Sequence, residues 1–453
     1  MRNMKTIYKY LFILSFMAFA SCNVLDQEPE GLISTEDAIV DRQSAIAATN
    51  GLYSILQDGD LYGGRFIMAT EMVAGNAKAT AFQAFWQELA SGKVPVSNFH
   101  VEDNWIGFYD VINGANAIIT QVPELAALSE GEKNEMLGTA YFMRALSFFD
   151  LLRQYGEFYD TGSEFGIPLK LTQSLEPSET SRSTVAKSYE QIESDLTKAI
   201  DLLGDGNNNF KVSKAAAQTL KARVHLYQEE FTEAANLASA VITNSKYELP
   251  ENYNEIYEIE ESAESIFELN FIQLDDPNVW AIEMYITPPE VSVSEGLITF
   301  LDGRGENERG ALFAQSENND EIFICTKYGN SQTDNGHNTI VLRLSEMYLI
   351  RAEALGRNGT PNDALPDLNE IRNRAGLSNI NNISDEAELL DILLEERRAE
   401  FAFEGHYWFD MVRYGLMEDT RGLESFRRIF PIPRREMNIT DGTLVQNPGY
   451  NQQ

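Results

Sequence analysis

The sequence is short of the residues that most covalent and metal chemistry requires. Its 453 residues include two cysteines, Cys22 and Cys325, and four histidines. His100, His225, His337 and His406 stand far apart, with no His-x-x-x-His or similar ligand spacing, so no metal centre is expected. Positive charge is scarce as well, with 35 Lys and Arg against 70 Asp and Glu and a net charge of −35. That field repels nucleic acid and anionic lipid surfaces, and it disfavours strongly acidic glycans. A neutral or cationic ligand suits it better. No nucleophile elbow and no phosphate loop is present. Neighbouring acids such as Glu260-Glu261 and Glu395-Glu396 arise by chance among 70 carboxylates, so they carry no argument for a glycosidase. Asp58-Gly59-Asp60 and Asp302 to Glu306 are oxygen-rich, but neither meets the twelve-residue calcium pattern. A structural calcium therefore has no motif behind it, and no cofactor is expected.

What is present begins with a processing segment. Arg2, Lys5 and Lys9 form a basic start, and Leu11 to Ala20 is apolar but too short to span a bilayer. Phe19-Ala20-Ser21-Cys22 resembles a bacterial lipobox, with Phe19 where Leu is usual. Residues 1–21 are thus expected to be removed and Cys22 to carry lipid, which leaves Cys325 as a lone thiol. Asp26, Glu28 and Glu30 resemble the acidic tract that sends such lipoproteins to the cell surface. Hydrophobic content of 43% and charged content of 23% are ordinary for a globular chain. The length supports a sizeable core.

Helical periodicity dominates the remainder. Ser34-x-x-Asp37 reads as a capping box opening a helix to about Leu56. Trp105, Tyr109, Ile112, Ala115 and Ile119 stripe a helix over about Glu102–Val122. Ser129-x-x-Glu132 caps another that Gly156 stops. Val185 to Leu203 is striped, Ser213–Gln228 and Phe231–Ser245 form a tight pair, and Leu344–Arg357 with Pro361–Arg374 forms a second, capped by Thr360. Tyr141-x-x-Arg144-Ala145 and Tyr348-x-x-Arg351-Ala352 share a pattern, with Leu220-Lys221-Ala222-Arg223 at the same place between them. These pairs resemble divergent tetratricopeptide repeats. The expected fold is mostly α, one domain over residues 22–453, with a few short strands and two irregular insertions at about 57–99 and 248–339. Ser265–Leu269 and Trp280–Ile286 in the second insertion read as strand-like.

The stretch from Glu395 to Tyr414 is the most distinctive. Leu389, Ile392, Leu393, Ala399 and Phe403 form an apolar face, and Gly405 is expected to end the helix. Glu395, Glu396 and Glu400 are expected to pair locally with Arg397 and Arg398. This stretch closely resembles the C-terminal motif of the SusD/RagB family. The resemblance continues through Phe430-Pro431-Ile432-Pro433, Gln446 to Tyr450 and, upstream, Leu368 to Leu377. It implies a surface-exposed outer-membrane lipoprotein, not an enzyme, that captures an oligosaccharide and delivers it to a TonB-dependent transporter. A peptide ligand, which some members of the family take, and a secreted glycoside hydrolase are the alternatives. In that family ligand contacts come from excursions above the repeat scaffold, which here correspond to the two insertions.

Sugar recognition uses flat apolar faces and planar polar groups. Trp86, Trp280 and Tyr285 are the stacking candidates because they lie in the insertions, and Arg65, Asn76 and Gln83 are the hydrogen-bonding candidates. Trp105 and Trp408 sit on scaffold motifs and are expected in the core. Arg144, Arg397, Arg398 and Arg413 are expected to form ion pairs with carboxylates rather than a phosphate site. The lipobox makes a direct prediction: Cys22→Ala moves the protein out of the membrane fraction, and unchanged retention on fractionation would contradict lipidation.

Overall fold

Helix capping sets most of the scaffold boundaries. The computed structural model describes residues 39–80, 83–174, 180–316, 319–329, 331–333 and 336–450. The leader, Cys22, Ser34–Asp37 and Phe82 lie outside these residues. The first described helix, α1 (Arg42–Leu56), begins at a capping box formed by Asp41 and Ser44, seven residues after the expected Ser34/Asp37 box, which lies outside the described residues. There follow α2 (Arg65–Ala74), β1 (Ala77–Ala79), α3 (Ala84–Ser91) and α4 (Phe99–Gln121). α5 (Glu130–Tyr155) opens on the expected Ser129/Glu132 capping box and stops at Gly156. α6 (Val185–Leu202), α7 (Lys214–Tyr227) and α8 (Phe231–Ile242) complete the first run.

The second insertion holds α9 (Glu255–Glu258), β2 (Ser265–Leu269), α10 (Val279–Glu283), β3 (Val291–Val293), α11 (Glu295–Arg304), α12 (Asn307–Gly310), β4 (Phe313–Ser316) and β5 (Asn319–Cys325). After β6 (Thr339–Arg343) the scaffold resumes with α13 (Leu344–Asn358), a 3-10 turn at Pro361–Ala364 under the Thr360 cap, α14 (Leu365–Arg374) and α15 (Glu386–Glu400). α16 (Tyr407–Arg413), α17 (Met417–Arg421) and α18 (Arg434–Ile439) close it. No helix of the described residues is long and apolar enough to cross a membrane.

The scaffold helices pack in series, α1 on α4, then α5, α6, α7, α8, α13 and α14. The repeated Tyr-x-x-Arg pattern has a physical meaning. Arg144 of α5 makes a bidentate pair with Asp195 of α6 at 2.8 and 2.7 Å, its guanidinium over the Tyr141 ring. Arg351 of α13 does the same with Asp367 of α14 at 2.8 and 2.7 Å, over Tyr348. The first helix of each unit is thus locked to its second by one planar ion pair. In the middle unit Arg223 of α7 reaches Glu346 of α13 instead, at 2.5 and 2.6 Å. That pair joins neighbouring units rather than one unit's own helices.

α15 departs from expectation in two ways. Its helix ends at Glu400, and the chain then turns through Phe403 and Gly405, both in the left-handed region, before α16. Its charges pair across the fold rather than locally. Glu396 meets Arg304, Arg309 and Arg372 at 2.8, 2.5 and 3.0 Å. Glu400 meets Arg343 at 2.6 Å, Arg309 at 3.0 Å and Arg374, and Glu264 also bonds Arg343 and Arg374. Arg397 pairs with Asp410 at 2.8 Å and Arg413 with Glu353 at 2.8 Å, both buried as ion pairs. Arg398 finds no carboxylate among the described residues; its Nε donates to Asn76 Oδ1 at 2.9 Å, between the rings of Phe300 and Tyr407. Burial opposes the charge on Glu400, but Arg374, Arg343 and Arg309 outweigh it and hold the carboxyl well below its usual range.

A main apolar core runs from the scaffold into both insertions and contains Trp105 and Trp408. A smaller cluster lies between α13, α14 and α15. The insertions share a four-stranded antiparallel sheet in the order β1-β3-β5-β4, while β2 pairs with β6. Ala77 faces Val293 and Ala79 faces Val291, so two segments far apart in sequence are sewn edge to edge. Trp280–Ile286 is not a strand: α10 turns Trp280, Ala281 and Glu283 inward and leaves Ile282 exposed.

Two stability measurements test this account. Glu400→Gln leaves buried arginines uncompensated and is expected to cost about 3–5 kcal/mol in urea unfolding. Glu424→Gln, at the exposed pair with Arg427, is expected to cost no more than about 1 kcal/mol, and equal losses would contradict the network's role. The second concerns Glu71 of α2. Burial raises its carboxyl to about 7, against Asn76 and the backbone amides of Gly405 and Phe403, which lower it. The folded chain then keeps a proton that the unfolded chain releases near the ordinary value of 4.5. Stability from this group is therefore full below that value and falls by about 3 kcal/mol as pH rises to about 7. Glu71→Gln should remove that part of the slope; an unchanged slope would contradict it.

Candidate functional site

The two insertions meet over the turn before α2. A Cβ on Gly63 would come within 2.5 Å of the Gln57 carbonyl oxygen and 2.8 Å of the Pro277 ring, so only glycine lets the turn lie this close beneath residues 277–280. The turn delivers Arg65 to the start of α2, where it pairs with Asp60 at 3.1 Å and Glu283 at 3.2 Å. Glu283 also accepts from the Trp86 indole at 3.0 Å. One carboxylate from the second insertion thus holds a cation and a ring from the first.

This junction assigns places to all six residues singled out in the sequence. Trp86 is 0% exposed and Trp280 is 7% exposed. The Trp280 ring stacks on Tyr328, centroids 4.1 Å apart and planes 13° apart. Tyr285 is buried with its hydroxyl donating to the Cys325 carbonyl at 2.8 Å. None of the three rings presents a stacking face to solvent in this conformation, because the polar atoms of Trp86 and Tyr285 are satisfied internally. Asn76 is buried between Glu71 and Arg398. Arg65 is half-buried in its pairs with Asp60 and Glu283. Gln83, at the start of α3, is exposed. Trp86, Arg65 and Trp280 do come together around the Gly-rich turn and α10, as a floor; Gln83 stands at the rim.

The solvent-facing groups beside this floor lie on α4. Phe99, Asp103, Ile106 and Asp110 recur at helical spacing and share one face. Phe99 is 42% exposed and is the one aromatic ring exposed to that degree among the described residues. It meets half-buried Phe85 edge to face at 4.3 Å and buried His100 at 4.2 Å. Asp103 and Asp110 line a cleft of about 460 Å³ with Asp58, Asp60, Ser54, Ile55, Ile106 and Gly107. Among the described residues no Lys or Arg lines it. A second groove of about 200 Å³ continues from Asp110 through Asn113 and Asn116 to Lys170 and Thr180.

Burial, then the charges of Asp60 and Glu102, raise the Asp103 carboxyl above its ordinary value. Burial likewise raises Asp110. Asp60 is also pushed up by burial, but His100 and Arg65 outweigh this and leave it lowered. The face therefore offers an apolar ring followed by a row of hydrogen-bond acceptors, which is chemistry suited to hydroxyl- or amine-bearing ligands. The buried stripe of α4 was readable in the sequence. Its opposite face was not singled out, although Phe99-x-x-x-Asp103 and Ile106-x-x-x-Asp110 carry the signal.

Comparison with known proteins bears on this geometry. A family model described as the SusD family matches residues 307–425, and one described as "Starch-binding associating with outer membrane" matches residues 24–226. SusD-like protein P38 of Formosa agariphila is 27% identical over 510 aligned residues, covering 97% of this chain and 98% of that protein. The starch-binding protein SusD of Bacteroides thetaiotaomicron is 34% identical over 123 residues, which is 24% of this chain and 21% of that protein. A crystal structure of a SusD superfamily protein from Bacteroides thetaiotaomicron superposes with a TM-score of 0.80 at 27% identity, covering 90% of this chain and 100% of that one. A laminarin-binding SusD-like protein shares the fold, with a TM-score of 0.75 at 24% identity over 91% of this chain and 100% of its own. With matches at both ends of the chain, whole-length relatives and a shared fold, the chain is similar to the SusD family over nearly its whole length.

Proposed function

We propose that this protein captures a neutral oligosaccharide on the face formed by α4 and the two insertions, and delivers it to a TonB-dependent outer-membrane transporter. Lipid on Cys22 anchors it to the outer membrane, facing the exterior, and it binds the glycan without cleaving it. The observation that carries the sugar reading is the starch-binding family match over residues 24–226, which contains Arg65, Gln83, Phe85, Phe99, Asp103 and Asp110. Phe99 supplies the apolar platform and the row of carboxylates the hydroxyl acceptors, while the Trp86–Glu283–Arg65 junction holds the platform in place. The laminarin-binding neighbour adds support for a glucan. A peptide, above all a basic one, is the second reading, because exposed aromatics are few and four carboxylates line the cleft.

Calorimetric titration of the mature chain with laminarin and starch oligosaccharides and with basic peptides tests both. The expected result is saturable binding to one glycan class without new products. Phe99→Ala and Gln83→Ala should weaken it with thermal stability unchanged. Trp86→Ala should instead cost about 3–5 kcal/mol of stability as a core deletion. Silence across glycans with a peptide hit would keep the fold and overturn the ligand. Turnover lost on removing one carboxylate would overturn the capture role.

A further inference from the structure

The helical scaffold brings together three side chains that sequence spacing keeps apart. Glu193 lies midway along α6, His225 in the last turn of α7, and Glu230 at the N-cap of α8. The Glu230 amide donates to the His225 carbonyl at 2.9 Å, closing a turn in which Glu229 takes a φ of 60°. Although Glu230 stands at a cap position, its side chain caps nothing. It folds back so that Oε2 lies 2.5 Å from His225 Nδ1. Glu193 reaches the same spot from α6, its Oε1 accepting from Gln228 Nε2 at 2.7 Å. One ligand-capable atom from each of the three lies within 4.8 Å of the others, the one such group among the described residues.

An ordinary ion pair does not account for this arrangement. Two carboxylates converge on a single imidazole, and neither has a Lys or Arg partner among the described residues. The scaffold's other inter-helix carboxylates, Asp195, Asp367 and Glu346, each have an arginine. With a neutral imidazole both negative charges stay uncompensated, and with a protonated one a negative charge is left over. Glu230 is exposed and Glu193 half-buried, so the spot opens to solvent and leaves room for water.

We propose that Glu193, His225 and Glu230 form a zinc-type divalent metal site that clamps α6 to the α7–α8 hairpin. One imidazole nitrogen and two carboxylate oxygens make a borderline donor set that suits zinc, whereas calcium and magnesium favour all-oxygen shells. Two donors bound tetrahedrally at about 2.0–2.2 Å lie about 3.4 Å apart, so Glu230 Oε2 must back away from its 2.5 Å contact with His225 Nδ1 while Glu193 draws in from within 4.8 Å, and rotation of the two glutamate side chains supplies both movements. A water occupies the remaining position. The acidic surface raises the local concentration of divalent cations.

The test uses the full mature chain without an affinity tag, stripped with chelator and titrated with zinc by calorimetry and with cobalt by visible absorption. A single equivalent should bind saturably and raise the melting temperature, and calcium or magnesium should not reproduce it. His225→Ala and Glu193→Gln should each weaken binding by about tenfold or more. Glu230→Gln, at the exposed carboxylate, provides a variant that should fold regardless, and it should show the same loss. Absence of saturable zinc binding by the parent chain would overturn the proposal, as would binding that these variants leave unchanged.

Discussion

The fold rests on buried ion pairs that cross it. Glu400, Glu396 and Glu264 are removed from water, and Arg343, Arg374, Arg309, Arg304 and Arg372 converge on them from four other segments. Desolvating so many charges is costly, and the cost is met only when every partner is in register. The network therefore specifies one arrangement more than it adds raw stability. It fixes α15 against α14, against the start of α13, and against α11 and α12 of the second insertion. Arg343 and Lys327 extend it to Glu404 in the turn that follows α15. The insertion is thus tied to the scaffold by charge, at the point where its chain re-enters the repeats.

The same device recurs at smaller scale. Arg144–Asp195 and Arg351–Asp367 lock helix pairs, and Arg223–Glu346 links one pair to the next. Above this frame the insertions are held to one another by β1–β3 pairing and by Glu283, which serves Arg65 and Trp86 together. The result is a buried aromatic floor with exposed groups beside it. The large aromatics build the floor, and Phe99, Gln83 and Asp110 are exposed beside it.

The scaffold was largely legible in the sequence because its signals are local. Ser129/Glu132 and Thr360 cap where expected, Trp105 and Trp408 are core, and Ser265–Leu269 is a strand. What was not legible depends on partners distant in the chain. Arg343 and Glu400 are 57 residues apart, and Arg374 and Glu264 are 110 apart, beyond any i to i+4 rule. Trp280–Ile286 alternates like a strand, but Glu283 can be buried only by turning inward to Arg65 and Trp86, and that favours the short helix. Trp86 is a fair stacking candidate by location alone; only the structure shows that Glu283 satisfies its indole and lets it sink. The Phe99 face was hidden by the stronger apolar stripe on the opposite side of α4.

The most direct test of a rigid scaffold carrying a ligand-binding rim is hydrogen exchange of the mature chain with and without saturating laminarin or starch oligosaccharide. The account predicts slowed exchange confined to the start of α4, the α2–α3 segment and residues 272–290, with the scaffold helices unchanged. Protection centred on the α5–α8 or α13–α15 helices, with none at α4, would place the ligand elsewhere and contradict it.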